Sequence, residues 1–264
     1  MANSVDGNIP TRWILLRGLG RDSRHWGKTV SVLEKEVPYH QFFALDLPGT
    51  GIERDLSAPL SIADNVDFLR QKYASLLREG PVNLLAISLG GMVAADWMSR
   101  FPDEIAGGVF INTSSQLSPF YQRLYPPAAL GLIGALVKAK LKGSALALEQ
   151  SVAGWVVNNS GQQQTAAIQW ASFYTSKRLG VATLCRQLIA AAQFSPPRLT
   201  QPLLLVNSQQ DRLVNPCCTE RLAQYWHQAV VSHPIAGHDL PVDDPQWLAQ
   251  TIGQWLLQQR TGAH

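Results

Sequence analysis

Short apolar runs that alternate with helix-period segments constrain this chain more than any single residue does. Residues 13–16 form one run, stopped by Arg17-Gly18-Leu19-Gly20. Residues 23–37 carry a helical pattern, and residues 39–45 form a second run, stopped by Asp46-Leu47-Pro48-Gly49-Thr50-Gly51. Residues 61–78 space Ile62, Val66, Leu69, Tyr73, Leu76 and Leu77 close to the helical period. Residues 82–87 follow Pro81 as a third run, residues 89–101 form a helix stopped by Pro102, and residues 105–111 form a fourth run. This order predicts a parallel sheet with helices on both faces, because each parallel crossover needs an element to carry the chain back. Near-continuous apolar strands fit, since both faces of such a sheet are buried.

The rhythm then breaks. Residues 115–194 show helical patterns and no strand; Pro126-Pro127 opens one helix, and Gly143, Gly161 and Gly180 punctuate later ones. Alternation resumes at Pro202, with strands over 203–207 and 229–235 and helices over 217–227 and 244–259. A chain of 264 residues suits one large domain or one core with an inserted lobe. The expected fold is α/β, a mostly parallel sheet with helices on both faces. Residues 1–114 and 196–264 form the core, and residues 115–195 form a helical insertion.

Ser88 lies where the third apolar run meets the next helix. Open α/β sheets bind ligands at the carboxyl ends of their strands. A sharp strand-to-helix turn needs small neighbours, and Ala86, Gly90 and Gly91 surround Ser88. Such a turn lifts the hydroxyl over a helix N-terminus, which favours developing negative charge. A serine hydroxyl needs a base, and the base needs an orienting acid. His238, in Ile235-Ala236-Gly237-His238-Asp239, follows the last strand and is the candidate base. Asp211, on the loop after the preceding strand, is the candidate acid. A helix N-cap is the competing reading of Ser88. Asp239 is a rival acid, disfavoured because a side chain adjacent to the base usually points elsewhere. Asp46 reads as a turn-shaping residue. The remaining histidines read as surface or core residues.

With Ser, Asp and His in that order, the chain resembles an α/β-hydrolase. The serine turn resembles the superfamily's G-x-S-x-G elbow, with Ala86 at the first glycine. Asp211-Arg212-Leu213-Val214, Gly237-His238 and Asp46-Leu47-Pro48-Gly49 resemble its acid, histidine and second-strand loops. The resemblance runs from about residue 13 to residue 257. It implies that the insertion is a cap over the site. It also implies that Ser88, His238 and Asp211 form a triad for acyl transfer, with the backbone N–H groups of Leu19 and Leu89 holding the oxyanion. Arg17 departs from the pattern, since the superfamily usually has His-Gly where this chain has Arg17-Gly18.

Composition narrows the partners. Twenty-two basic and 19 acidic side chains leave a formal charge of +3, too small an excess to predict nucleic-acid binding. Three cysteines, two of them adjacent, make a poor disulfide framework. No CxxC or HExxH pattern suggests a metal, and no cofactor is expected. The segment MANSVDGNIP lacks the basic and apolar regions of a signal peptide, and no apolar run reaches the ~20 residues of a membrane span. A cytoplasmic protein without a membrane span is the expectation. The expected activity is serine hydrolysis of small to medium carboxylic esters. Acyltransferase, thioesterase and carbon–carbon hydrolase readings stay open on the same triad, as does a non-catalytic small-molecule receptor. A carboxylate-nucleophile dehalogenase or epoxide hydrolase is disfavoured by Ser88. Oligomeric state is not readable from this sequence.

Overall fold

The computed structural model describes residues 11–174 and 180–261, so the MANSVDGNIP segment lies outside the described residues. Strand β1 (Thr11–Leu16) leads through a 3₁₀ turn at Ser23–Trp26 to α1 (Thr29–Glu36) and β2 (His40–Leu45). Next come α2 (Ile62–Lys72), α3 (Ala74–Leu77), β3 (Val82–Ile87), α4 (Leu89–Arg100) and β4 (Ile105–Ile111). Between β4 and β5 run α5 (Phe120–Arg123), α6 (Pro126–Lys142), α7 (Ala145–Val156), α8 (Ser160–Ser172) and α9 (Val181–Gln193). The chain closes with β5 (Leu203–Ser208), α10 (Cys217–Trp226), β6 (Val230–His233), α11 (Leu240–Asp243) and α12 (Pro245–Thr261). Among the described residues no helix is long and apolar enough to cross a membrane.

The sheet order is β2-β1-β3-β4-β5-β6, and every described pairing is parallel. Side-chain alternation divides the core. Ile14, Leu16, Leu84, Ala86, Phe110 and Leu205 face one layer with Val66, Leu69, Trp97 and Leu222. Trp13, Leu15, Leu85, Ile87, Val109 and Val206 face the other, with Leu33, Leu248 and Ile252. The four inner strands, β1, β3, β4 and β5, thus bury both of their faces, as a parallel sheet between helix layers requires. The chain leaves β1 toward β2 on one side and returns to β3 on the other. The crevice between the ends of β1 and β3 is therefore the topological switch point, where such sheets bind ligands.

The structure corrects three expected elements. The helix over 23–37 is broken at Gly27, whose φ of 51° ends the 3₁₀ turn before α1 begins. The helix over 61–78 breaks at Tyr73, whose backbone is non-helical, and the buried Arg12 guanidinium collects the Leu76 and Gly80 carbonyls beyond it. Strand β6 stops at His233, short of residue 235, because Pro234 has no N–H for the ladder.

Candidate active site

The serine turn is under strain. Ser88 has φ 56° and ψ −118°, a region that costs an L-residue about 1–3 kcal/mol. The turn is held from both sides. The Ser88 N–H donates to the Ile111 carbonyl at 2.9 Å, and the Ser88 carbonyl accepts from the Gly91 N–H at 3.0 Å. Gly90 is obligatory: a Cβ there would sit 2.5 Å from the Leu16 carbonyl oxygen. The Ser88 side chain makes no capping hydrogen bond to α4, which removes the N-cap reading. The strained turn presents a hydroxyl that does nothing for the helix.

The loop after β1 passes directly against this serine. A Cβ built on Gly18 would lie 3.1 Å from Ser88 Cβ. Among the described residues, neither the Leu19 nor the Leu89 N–H donates to a protein acceptor. Asp46 has the turn-shaping role expected of it. Its carboxylate accepts from the Ser23 N–H at 2.6 Å and the Ile52 N–H at 2.8 Å, tying the β1 and β2 loops together.

Asp211 and His238 meet at the ends of β5 and β6. His238 Nδ1 lies 2.7 Å from Asp211 Oδ2. A carboxylate only accepts, so Nδ1 carries the proton and Nε2 of the neutral ring is left as an acceptor. Asp211 Oδ1 accepts from the Leu213 and Val214 N–H groups at 2.8 and 2.9 Å, which fixes the carboxylate. Among the described residues the Ser88 hydroxyl makes no hydrogen bond, to His238 or to any other group; such contacts are often long in ligand-free sites.

Asn112 brings the histidine loop and the serine turn to one strand end. Its φ is 47°, and its side chain donates to the His238 carbonyl at 2.8 Å and accepts from the Ser208 N–H at 2.8 Å. The Ser88 N–H donates to the carbonyl of the preceding residue, Ile111, so both loops hang from adjacent residues at the end of β4. The sequence carries no signal for Asn112. Asp239, the rival acid, turns away from the histidine and pairs with Arg17.

A buried polar cluster ties the β1 loop to the inserted helices. Arg21 donates to Glu149 at 2.8 Å, stacks 4.3 Å from the Trp170 ring centroid and donates to His25 Nε2 at 3.0 Å. His25 Nδ1 in turn lies 3.1–3.2 Å from the Asp22 backbone nitrogen, carbonyl and carboxylate. Burial and the neighbouring Arg21 hold the His25 imidazole below its ordinary value. Burial would raise the Asp22 carboxyl, but hydrogen bonds from His25 and Arg24 hold it well below the usual carboxylate range. Burial and Glu149 push the Tyr174 phenol up.

Because folding depresses the His25 value, the unfolded chain takes up a proton first as pH falls below about 6.5. Native stability is expected to fall below that pH by up to about 1.4 kcal/mol per pH unit from this group. Urea unfolding at pH 7.5 and 5.5 checks this. His25→Gln should show a smaller loss between the two, and an equal loss would refute the assignment.

A cavity of about 230 Å³ opens beside this cluster, lined among others by Gly20, Asp22, Gly49, Thr183 and Arg186. Ser88 is not among its lining residues, so it is not where the candidate residues meet. Among the described residues no group of three or more His, Cys, Asp or Glu side chains is placed to hold a metal ion.

A parallel sheet with a strained serine turn at its switch point, and a His–Asp pair on the following strand ends, places the molecule in the α/β-hydrolase class. Residues 13–251 match the alpha/beta hydrolase family, and the chain belongs to it. It is 26% identical to the biotin biosynthesis bifunctional protein BioHC of Teredinibacter turnerae, over 95% of this chain and 45% of that protein. It is 31% identical to methyl jasmonate esterase 1 of Vitis vinifera, over 43% of this chain and 45% of that one. The matched stretch spans less than half the length of each of these curated relatives. The fold is shared with the enol-lactonase of Burkholderia xenovorans LB400, with a TM-score of 0.73 at 22% identity, covering 94% of this chain and 92% of that one.

Proposed function

We propose that the chain is a serine hydrolase that cleaves carboxylic esters of small to medium size, with residues 115–195 serving as a cap. The observation that carries the reading is the strained, uncapped Ser88 on the same sheet edge as an aspartate-oriented imidazole. In this mechanism His238 Nε2 accepts the Ser88 proton as Oγ attacks the ester carbonyl carbon. The Leu19 and Leu89 N–H groups receive the tetrahedral oxyanion, a contribution worth about 10²–10³ in rate per donor. His238 then protonates the departing alcohol. A water deprotonated by the same imidazole releases the acid from the acyl-enzyme, while Asp211 holds the tautomer throughout. The esterase among the relatives supports an ester as substrate.

The test is hydrolysis of p-nitrophenyl esters from acetate to laurate, with a fluorophosphonate probe read by peptide mass. Turnover with an optimum along the series, and labelling at Ser88, are expected. A folded protein that hydrolyses none of these esters and takes no label would overturn the esterase reading and favour a ligand-binding role.

A further inference from the structure

Arg17 is the residue at which the sequence departs from its resemblance, and the structure gives it a partner. Its Nη2 lies 2.5 Å from Asp239 Oδ2, across 222 positions of sequence. The two side chains are 3% and 4% exposed. Arg17 directly precedes the Gly18-Leu19 loop that lies against Ser88, and Asp239 directly follows His238. We propose that this buried ion pair is a positioning device. It registers the Leu19 N–H against His238 and balances the charge that the imidazole experiences. The inference rests on the triad reading above.

Three observations carry it. Among the described residues this is the one hydrogen bond between residues 17–22 and residues 236–243. The pair is also costly: Arg17 Nε and Nη1 and Asp239 Oδ1 have no partner among the described residues, beyond the Trp26 ring centroid 5.0 Å from the guanidinium. A buried ion pair is often no more stable than an apolar replacement, so its value here lies in geometry and charge. The pair is itself neutral, among surroundings that are acidic overall. The β1 loop supplies Arg17 and Arg21, the 3₁₀ turn Asp22 and His25, and the inserted helices Glu149. The β5 loop supplies Asp211, and the chain after β6 supplies Asp239 and Asp243. Arg21 is paired with Glu149, and the Asp243 carboxylate accepts from the Asn158, Asn159 and Gly237 N–H groups. Removing one half of the Arg17–Asp239 pair therefore changes the charge beside the residue next to His238 by one unit, in opposite directions for the two halves.

The two halves should act with opposite sign on the acidic limb of kcat/KM, where the base takes up a proton. Arg17→Met leaves an anion and should move the limb to higher pH. Asp239→Asn leaves a cation and should move it to lower pH, each by on the order of one pH unit. Arg17→Lys restores the charge without the planar fork, so the limb should return while kcat stays depressed. The double variant Arg17→Met with Asp239→Asn removes both charges and can fold where a single variant fails. Its limb should match wild type with kcat lowered about tenfold or more and KM little changed, because oxyanion registry is lost.

Wild type and Ser88→Ala are run first. Turnover that does not need Ser88 overturns the hydrolase reading itself. Serine-dependent turnover with unmoved limbs in the folded single variants, or with wild-type kcat in the double variant, overturns this inference alone. Imidazole NMR titration reads the same opposed shifts without any substrate.

Discussion

Ser88→Ala is expected to lower kcat/KM for the best p-nitrophenyl ester by about 10⁴–10⁶-fold while leaving the fold intact. The loss is large because every covalent step of the proposed mechanism passes through Oγ. The fold should persist because the hydroxyl makes no hydrogen bond to the described protein and caps nothing. Ser88→Gly sharpens the test. Glycine adopts a positive φ without the Cβ penalty, and the strain relieved, about 1–3 kcal/mol, should exceed glycine's entropic cost of about 0.5–1 kcal/mol. An inactive protein with a raised Tm is the expected result. A glycine variant that is both inactive and less stable would mean that the turn is held for stability rather than for chemistry.

Asp211→Asn should cost about 10⁴-fold in kcat with little loss of stability. The asparagine oxygen can keep accepting from the Leu213 and Val214 N–H groups, so the loop should hold. Its amide nitrogen then faces His238 Nδ1 as a donor. The ring must answer with an acceptor at Nδ1, which moves the proton to Nε2, the position that has to receive the serine proton. Kinetics with nitrogen NMR of the imidazole would read both consequences. Near-wild-type kcat with the proton still on Nδ1 would show that another acid orients the ring.

The central sheet was the most legible part of the sequence. Residues 82–87 and 105–111 are mostly apolar runs between turn residues, and their boundaries coincide with β3 and β4. The sharp turn at Ser88 was legible for a steric reason, since only Ala86, Gly90 and Gly91 admit it. Breaks inside helical patterns were not. No residue around Tyr73 signals the end of α2, and the carbonyls beyond it are held by Arg12, more than sixty positions away. Asp211 and His238 were legible as candidates by their places after strands, and the structure adds the hydrogen bond between them. Asn112 was invisible because an asparagine at a strand end carries no periodicity. The Arg17–Asp239 pair was invisible because charged residues default to solvent, and nothing local says which two will be buried together.

The carboxyl end of α7 is stitched at once to the loops that carry His238 and Asp211. The Val156 carbonyl accepts from the Asp239 N–H at 2.8 Å, and Asp243 binds the Asn158 and Asn159 N–H groups at 2.8–3.1 Å. Asn158 donates to the Ile235 and Gln210 carbonyls, and Arg212 reaches back to the Gly154 carbonyl. This seam makes residues 154–159 a shared joint between the inserted helices and the loops that carry His238 and Asp211. Such a joint works as an interlock: any displacement that strained the seam would also disturb the imidazole.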